Sequence, residues 1–434
     1  MGNAVGYIYE TYLGSRKVST DSRAIAEESV FFALKGANFD GNEFVESALE
    51  QGAALCVASD QRYEGNPRCV VVDDVLKTLQ EVARYHRSKL SIPVIGITGT
   101  NGKTTTKELM AKVLGRRYRV HATQGNLNNH IGVPLTLLSI PADCEIAVVE
   151  MGANHPGEIE MLCGMSQPTH GLITSVGKAH LEGFGSFEGV VRTKTELYRS
   201  IDERGGTIFV NEDNEVLADE AMKCANAEVV TYGSSDKAQI VGSYIGSNPY
   251  MSFYTEEGDM VYSIKTKLFG GYNFMNAMAA LAVGRYFKVE LMDIKEALEE
   301  YEPENKRSQF KKTKNNGLFL DCYNANPTSM AAAIDSFAAL KEDHKMVFIG
   351  GMKELGAESE KEHRQVVERI NGCGFERVVL IGPEFAFAKE MEGVEWYQDS
   401  SAACEYYRVH VVEGATILIK GSNSTKMWLL EEVL

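Results

Sequence analysis

Three features of the 434-residue sequence predict an α/β protein of three domains. From Pro93 onward, β-rich apolar runs alternate with helical patterns; a glycine loop joins the first such strand to a helix; and the same rhythm restarts after Tyr301-Glu302-Pro303. The alternation implies a central, mostly parallel P-loop-type sheet with helices on both faces. The restart implies a C-terminal Rossmann-like α/β domain, and the shorter stretch before Pro93 a smaller N-terminal α/β domain. The expected boundaries are 1–90, 91–302 and 303–434.

In the first region Val30-Phe31-Phe32-Ala33-Leu34, Ala54-Leu55-Cys56-Val57-Ala58 and Cys69-Val70-Val71-Val72 read as buried strands. Helical spacing covers 44–51 and 75–90. Two polar segments, 19–23 and 35–41, have turn composition. In the second region strands are expected at 94–98, 145–150, 170–176 and 206–210, with helices at 104–114, 156–163 and 187–201. Residues 239–268 read as a short-stranded antiparallel appendage, and 273–287 as a small-residue helix suited to close packing. In the third region strands are expected at 317–321, 346–349, 378–381 and 416–420, with helices at 328–340, 361–371 and 385–391. No G-x-G-x-x-G follows its first strand, which argues against a dinucleotide domain.

The joining loop is Gly99-Thr100-Asn101-Gly102-Lys103-Thr104, one residue short of a strict Walker pattern because Ile97 stands where the upstream glycine would be. Its backbone N–H groups and the helix N-terminus can gather phosphate oxygens, with Lys103 reaching the β/γ-phosphates and the Thr104 hydroxyl a Mg²⁺. The bland reading is a glycine turn with Lys103 in solvent. Ligands of parallel sheets collect outside the carboxyl ends of the strands. That rule brings 150–154, 177–180 and 125–129 near the loop.

A net charge of −16 argues against a general nucleic-acid or anionic-membrane binder, and no apolar run approaches spanning length. Eight cysteines without metal spacing read as buried thiols of a reducing compartment, so a cytoplasmic location is expected.

The loop alone leaves kinase, ATPase, GTPase and ligase open, though no N-K-x-D base-reading segment is present. Glu150 ends a strand with a hard oxygen ligand, or is an ordinary strand-end acid. His180 reads as a second ligand or a structural histidine, and Lys194 taken alone as a solvated helix lysine.

The motifs together resemble the Mur ligase family from end to end. They are Thr98-Gly99-Thr100-Asn101-Gly102-Lys103-Thr104-Thr105, Gly125-Asn126-Leu127-Asn128-Asn129-His130, Glu150-Met151-Gly152-Ala153-Asn154-His155 and Ala179-His180-Leu181-Glu182-Gly183. The third region adds Asp321-Cys322-Tyr323-Asn324-Ala325-Asn326-Pro327, Gly351-Met352-Lys353 and Lys420-Gly421-Ser422. The Tyr323–Pro327 stretch, and the lack of an Asp-Asn-Pro-Arg tetrapeptide, resemble the branch that adds D-alanyl-D-alanine to UDP-N-acetylmuramoyl-tripeptide.

The resemblance implies an ATP-dependent ligase of peptidoglycan precursor synthesis, working through an acyl phosphate as a monomer. It implies ATP phosphates on Gly99, Thr100, Asn101, Gly102, Lys103, Thr104 and Thr105, with Asn273, Asn276, Arg307 and Asp321 around the nucleoside. Lys103, Glu150, His180 and Lys194 are the implied catalytic set. Thr104, Glu150 and His180 would hold Mg²⁺ together with Lys194, the lysine this family carbamylates. The substrate end is implied at Ser22, Arg23, Asn38, Asp40, Gly41 and Asn126, with Asn326 toward the peptide or dipeptide. The chain departs from the family pattern at Asn42, Tyr272 and Asn423, where histidine, histidine and arginine are common. The alternatives are a diaminopimelate- or lysine-adding Mur ligase, a folylpolyglutamate synthase-like ligase, or a nucleotide-binding scaffold that has lost catalysis.

Overall fold

The computed structural model describes residues 2–178 and 181–434. Its N-terminal part begins with a helix, α1 (Gly2–Ser15), and builds a parallel four-stranded sheet in sequential order. The strands are β1 (Val18–Ser19), β2 (Val30–Phe32), β3 (Leu55–Ala58) and β4 (Cys69–Val71), accompanied by α2 (Val45–Glu50) and α3 (Val75–Ser88). Asp74 starts α3 by accepting the Lys77 amide, as its position before an apolar periodic run requires. One face of this sheet and α1 share a single apolar core with the next region: Ile8, Tyr12, Val30 and Phe32 pack in one cluster with Val133, Leu137 and Ile159.

The second part is a nine-stranded sheet, of which β5 (Val94–Thr98) and β7 (Ile146–Glu150) are buried along their whole length. That uniform burial is what helices on both faces produce. Its parallel strands also include β6 (Val120–Ala122), β8 (His170–Ile173), β9 (Thr207–Asn211) and β10 (Glu228–Gly233). Around them run α4 (Lys103–Leu114), α5 (Gly132–Leu138), α6 (Glu158–Ser166), α7 (Leu181–Phe184), α8 (Phe187–Lys194), α9 (Glu196–Asp202) and α10 (Glu215–Ala221). The helix expected over 187–201 is broken at Thr195, whose hydroxyl bonds back to the Val191 and Arg192 carbonyls. The expected antiparallel appendage is β11 (Ile240–Ser247), β12 (Tyr250–Glu257) and β13 (Met260–Phe269), and it is continuous with the large sheet. Tyr232 and Gly233 of β10 pair with Ile240 and Val241 of β11. The small-residue helix α11 (Phe274–Tyr286) approaches α4 so closely that a Cβ on Gly284 would stand 2.5 Å from Val113 Cγ1; α12 (Leu291–Glu300) follows.

The third part is a six-stranded sheet, β14 (Gln309–Lys312), β15 (Gly317–Asp321), β16 (Lys345–Gly350), β17 (Arg377–Ile381), β18 (Val394–Tyr397) and β19 (Thr416–Lys420), parallel except for β14 at one edge. Helices α13 (Pro327–Ala338), α14 (Ser359–Asn371) and α15 (Ser400–Val409) cover it, and its two faces carry separate apolar clusters. Phe269 of β13 joins one of these, 4.3 Å from Phe319 between ring centroids. The expected helix over 385–391 is instead a 3-10 turn at Pro383–Ala388. No helix among the described residues is long and apolar enough to cross a membrane.

Candidate active site

The carboxyl ends of β5, β7 and β8 meet the C-terminal part around a cavity of about 600 Å³. The glycine loop forms its floor. Thr100 N donates to Ser175 O at 2.8 Å, Asn101 N to Ser175 Oγ at 3.0 Å, and Thr174 Oγ1 to Asn101 O at 2.6 Å. Gly102 has φ +83°, and a Cβ there would stand 2.3 Å from Asn276 Oδ1, so glycine is required on both conformational and steric grounds. Lys103 folds back over the loop, donating to Gly99 O at 2.7 Å and Thr100 O at 3.2 Å. Burial brings its pKa down to about 8; Glu150 opposes this and Arg307 adds to it.

Glu150 is buried at the end of β7. Its Oε1 accepts from Asn128 Nδ2 at 2.7 Å and Thr104 Oγ1 at 3.2 Å, while Oε2 has no hydrogen-bond partner. An orphaned buried carboxylate oxygen beside a threonine hydroxyl is an arrangement that a hard cation completes. Among the described residues no three His, Cys, Asp or Glu side chains gather as a metal cluster. Lys194, 2% exposed, donates to Ala153 O at 3.4 Å and lies 5.4 Å from the Phe184 ring centroid. Burial first, and then the charge of Lys103, brings Lys194 down to about 7 against the pull of Glu158 and Glu196.

Along the Asn273 and Asn276 wall a chain of hydrogen bonds crosses between domains. Thr106 Oγ1 donates to Asn276 Oδ1 at 3.2 Å, Asn276 Nδ2 to Asn273 Oδ1 at 2.9 Å, and Asn273 Nδ2 to Ser308 Oγ at 3.0 Å. Ser308 N then donates to Asp321 Oδ1 at 3.4 Å, and Lys420 Nζ to Asp321 Oδ2 at 2.6 Å. Tyr272 joins the same chain, its hydroxyl 2.8 Å from Ser308 Oγ, which gives this departure from the family pattern a local partner. Arg307 lies 3.7 Å over the Tyr323 ring with its Nε unpartnered.

Of the expected site residues, Thr100, Asn101, Gly102, Lys103, Thr104, Thr105, Glu150, Asn273, Asn276, Arg307 and Asp321 line this cavity. Gly99, the first residue of the loop, has φ +143° and does not line the cavity, and neither does Lys194. His180 lies outside the described residues. From its own motif Asn128 lines the cavity and Asn126 does not. Ser22, Arg23, Asn38, Asp40 and Gly41 do not line it either. Arg23 pairs with Asp21 at 2.8 Å on the surface, while Asp40 pairs with Lys35 at 2.9 Å and accepts from Asn42. Asn326 is buried with its amide already engaged, as described below. Ser308 and Tyr323 escaped the sequence reading as site residues, because neither residue type carries a signal until the domains are placed side by side.

The comparisons agree along the whole chain. Residues 16–94 match the Mur ligase family catalytic domain, 97–284 the Mur ligase middle domain, and 306–423 the Mur ligase glutamate ligase domain. The UDP-N-acetylmuramoyl-tripeptide–D-alanyl-D-alanine ligase of Bacillus subtilis (strain 168) is 36% identical over 430 residues, covering 96% of this chain and 92% of the relative. A crystal structure of MurF from Acinetobacter baumannii superposes with a TM-score of 0.88 at 28% identity, over 99% of this chain and 97% of that one. The MurF ligase of Thermotoga maritima in complex with ADP superposes at 0.84 with 27% identity, over 96% and 97%.

Proposed function

The chain belongs to the Mur ligase family, and from that membership we propose the reaction, substrates and residue roles that follow. The protein is an ATP-dependent ligase that adds D-alanyl-D-alanine to UDP-N-acetylmuramoyl-tripeptide in peptidoglycan precursor synthesis. It works in the cytoplasm as a monomer. The observation that carries the ligase reading is one cavity lined by the glycine loop and by Glu150 with its orphaned carboxylate oxygen, with buried Lys194 behind its wall on the Ala153 carbonyl.

The tripeptide carboxylate attacks the γ-phosphate of ATP, giving an acyl phosphate and ADP. The amine of D-alanyl-D-alanine then attacks the activated carbonyl, and a tetrahedral intermediate collapses to the amide and phosphate. Negative charge develops in both steps, so Lys103 and the loop N–H groups stabilise them. Thr104 and Glu150, with His180 and Lys194 completing the set, would hold Mg²⁺, which would supply electrostatic stabilisation of phosphate charge. A lysine near pH-neutral pKa keeps a sizeable fraction of free amine, which adds to CO₂ to give an anionic carbamate and a proton; Lys194 fits that role. Asn273, Asn276, Arg307 and Asp321 hold the nucleoside. Ser22, Arg23, Asn38 and the Asp40-Gly41 turn bind the uridine diphosphate end at a distance from the chemistry.

ATP-dependent phosphate release from UDP-N-acetylmuramoyl-tripeptide tests this, with D-alanyl-D-alanine, free D-alanine or diaminopimelate as acceptor. Turnover with the dipeptide is expected; turnover with diaminopimelate alone would overturn the assignment.

A further inference from the structure

The N-terminal part merges with the central sheet through a common apolar core, whereas the C-terminal part meets the phosphate loop through polar groups. The closest of these contacts joins Asn101 to Asn326, 225 positions apart in sequence. Asn326 Nδ2 donates to Asn101 Oδ1 at 2.8 Å, and Asn101 Nδ2 lies 3.4 Å from Asn326 Oδ1.

Neither side chain needs this partner to shape its own element. The Asn101 backbone is already fixed by Ser175 and Thr174, so its amide is not what forms the loop. Asn326 caps α13: its Oδ1 accepts from Ser329 N at 2.9 Å, and Ser329 Oγ accepts from Asn326 N at 3.1 Å. Serine or aspartate would cap a helix equally well. What asparagine adds is the Nδ2 donor, and that donor goes to the loop. Asn326 is 6% exposed, and its neighbours Asn324, Thr328 and Ser329 line the cavity opposite Asn101. A direct amide pair exchanges with water at little net cost, so it can open and close with the domain while fixing the closed geometry.

We propose that Asn326 is a positioning residue for ligation: through Asn101 it registers the C-terminal domain against the tip of the phosphate loop. This rests on the ligase reading above. Loss of register leaves phosphoryl transfer on the loop largely intact but misplaces the incoming amine. Water then attacks the waiting acyl phosphate, returning the carboxylate and inorganic phosphate without an amide bond.

The test uses the full chain with ATP, UDP-N-acetylmuramoyl-tripeptide and D-alanyl-D-alanine, in wild type, Asn326→Ser, Asn101→Ala and the double variant. Serine keeps the cap but is too short for Asn101, so the melting temperature of Asn326→Ser is expected within about 2 °C of wild type. Amide formation is expected to fall about 10-fold in either single variant and no further in the double. Phosphate released per amide formed should rise from about one to at least about two, while KM for ATP in Asn326→Ser stays within about twofold. Wild-type amide formation and stoichiometry in Asn326→Ser, or single losses that multiply in the double, overturn the proposal. If Asn326→Ser melts early, Asn101→Ala decides, since it leaves the cap untouched; an unchanged stoichiometry there overturns it too. The pair is also read without acceptor, from the ATP-dependent rise in melting temperature across the same four proteins, where additive effects overturn it. A wild type that makes no amide yet shows non-additivity there fails the ligase reading alone.

Discussion

Thr104 Oγ1 donates to Glu150 Oε1 at 3.2 Å, joining the first turn of the helix after the glycine loop to the end of the neighbouring strand. The contact leaves the other carboxylate oxygen buried and unpartnered. Glu150→Gln keeps the shape and removes the charge, so amide formation should fall by about 10²–10³ and the Mg²⁺ concentration for half-maximal rate should rise. Phosphate release titrated with Mg²⁺ checks this, and an unchanged Mg²⁺ requirement would remove Glu150 from the metal site.

On the proposed carbamate, Lys194→Ala should be nearly inactive, with part of the rate restored by short carboxylic acids standing in for it. The lysine sits at about 7 because it is buried and faces Lys103, so added bicarbonate should raise wild-type activity near neutral pH. Rates with and without acetate in the variant, and mass analysis of the wild type, are the measurements. Wild-type-like activity in Lys194→Ala would place it outside the chemistry.

Gly102→Ala puts a side chain at φ +83° and a Cβ 2.3 Å from Asn276 Oδ1. The left-handed backbone alone costs about 1–2 kcal/mol, and the clash displaces an asparagine expected beside the nucleoside. Weaker ATP binding with a modest loss of stability is expected, read by nucleotide titration and thermal unfolding.

Lys420, 1% exposed, pairs at 2.6 Å with Asp321, whose side chain is 15% exposed. Lys420→Met leaves the carboxylate with only the Ser308 amide and should lower stability by about 2–3 kcal/mol. Urea unfolding checks this, and a change under 1 kcal/mol, roughly the worth of an exposed pair, would contradict it.

His86 and His170 are both held down to about 4, chiefly by burial. In the unfolded chain each titrates near 6.5. Between those values the unfolded state binds more protons, so stability is full above about pH 6.5 and declines as pH falls toward 4. His86→Gln keeps an acceptor for Tyr9, which lies 3.1 Å from His86 Nδ1, and should flatten part of that slope. Urea midpoints from pH 7.5 to 4 measure it; an identical slope in the variant would contradict the assignment.

What the sequence made legible was local. The strand, glycine loop and helix around Lys103 are contiguous, and buried parallel strands announce themselves as unbroken apolar runs. Contacts made across long separations left no such mark. Ser308 acquires its place only because Asn273 is folded against it. The asparagine motif at 126–129 did not say which amide would face Glu150, because that depends on the turn of the backbone there. The pairing that makes β10 and β11 neighbours spans two residues on each strand, too short a signal to distinguish an extended sheet from an appendage. Helix α1 leaves little mark in the sequence for a related reason: its buried face, Ile8 and Tyr12, is defined by a sheet that follows it.

The break at Thr195 separates two commitments that point different ways. Lys194, the last residue of α8, reaches the Ala153 carbonyl at 3.4 Å, while Glu196, the first residue of α9, accepts from Gly157 N at 2.9 Å and Glu160 N at 2.8 Å at the start of α6. A single inserted or deleted residue rotates a helix by about 100°, so a change of length between Lys194 and Glu196 cannot keep both side chains in place. The spacing between this lysine and this glutamate is therefore a point where the chain can drift by substitution but not by insertion or deletion.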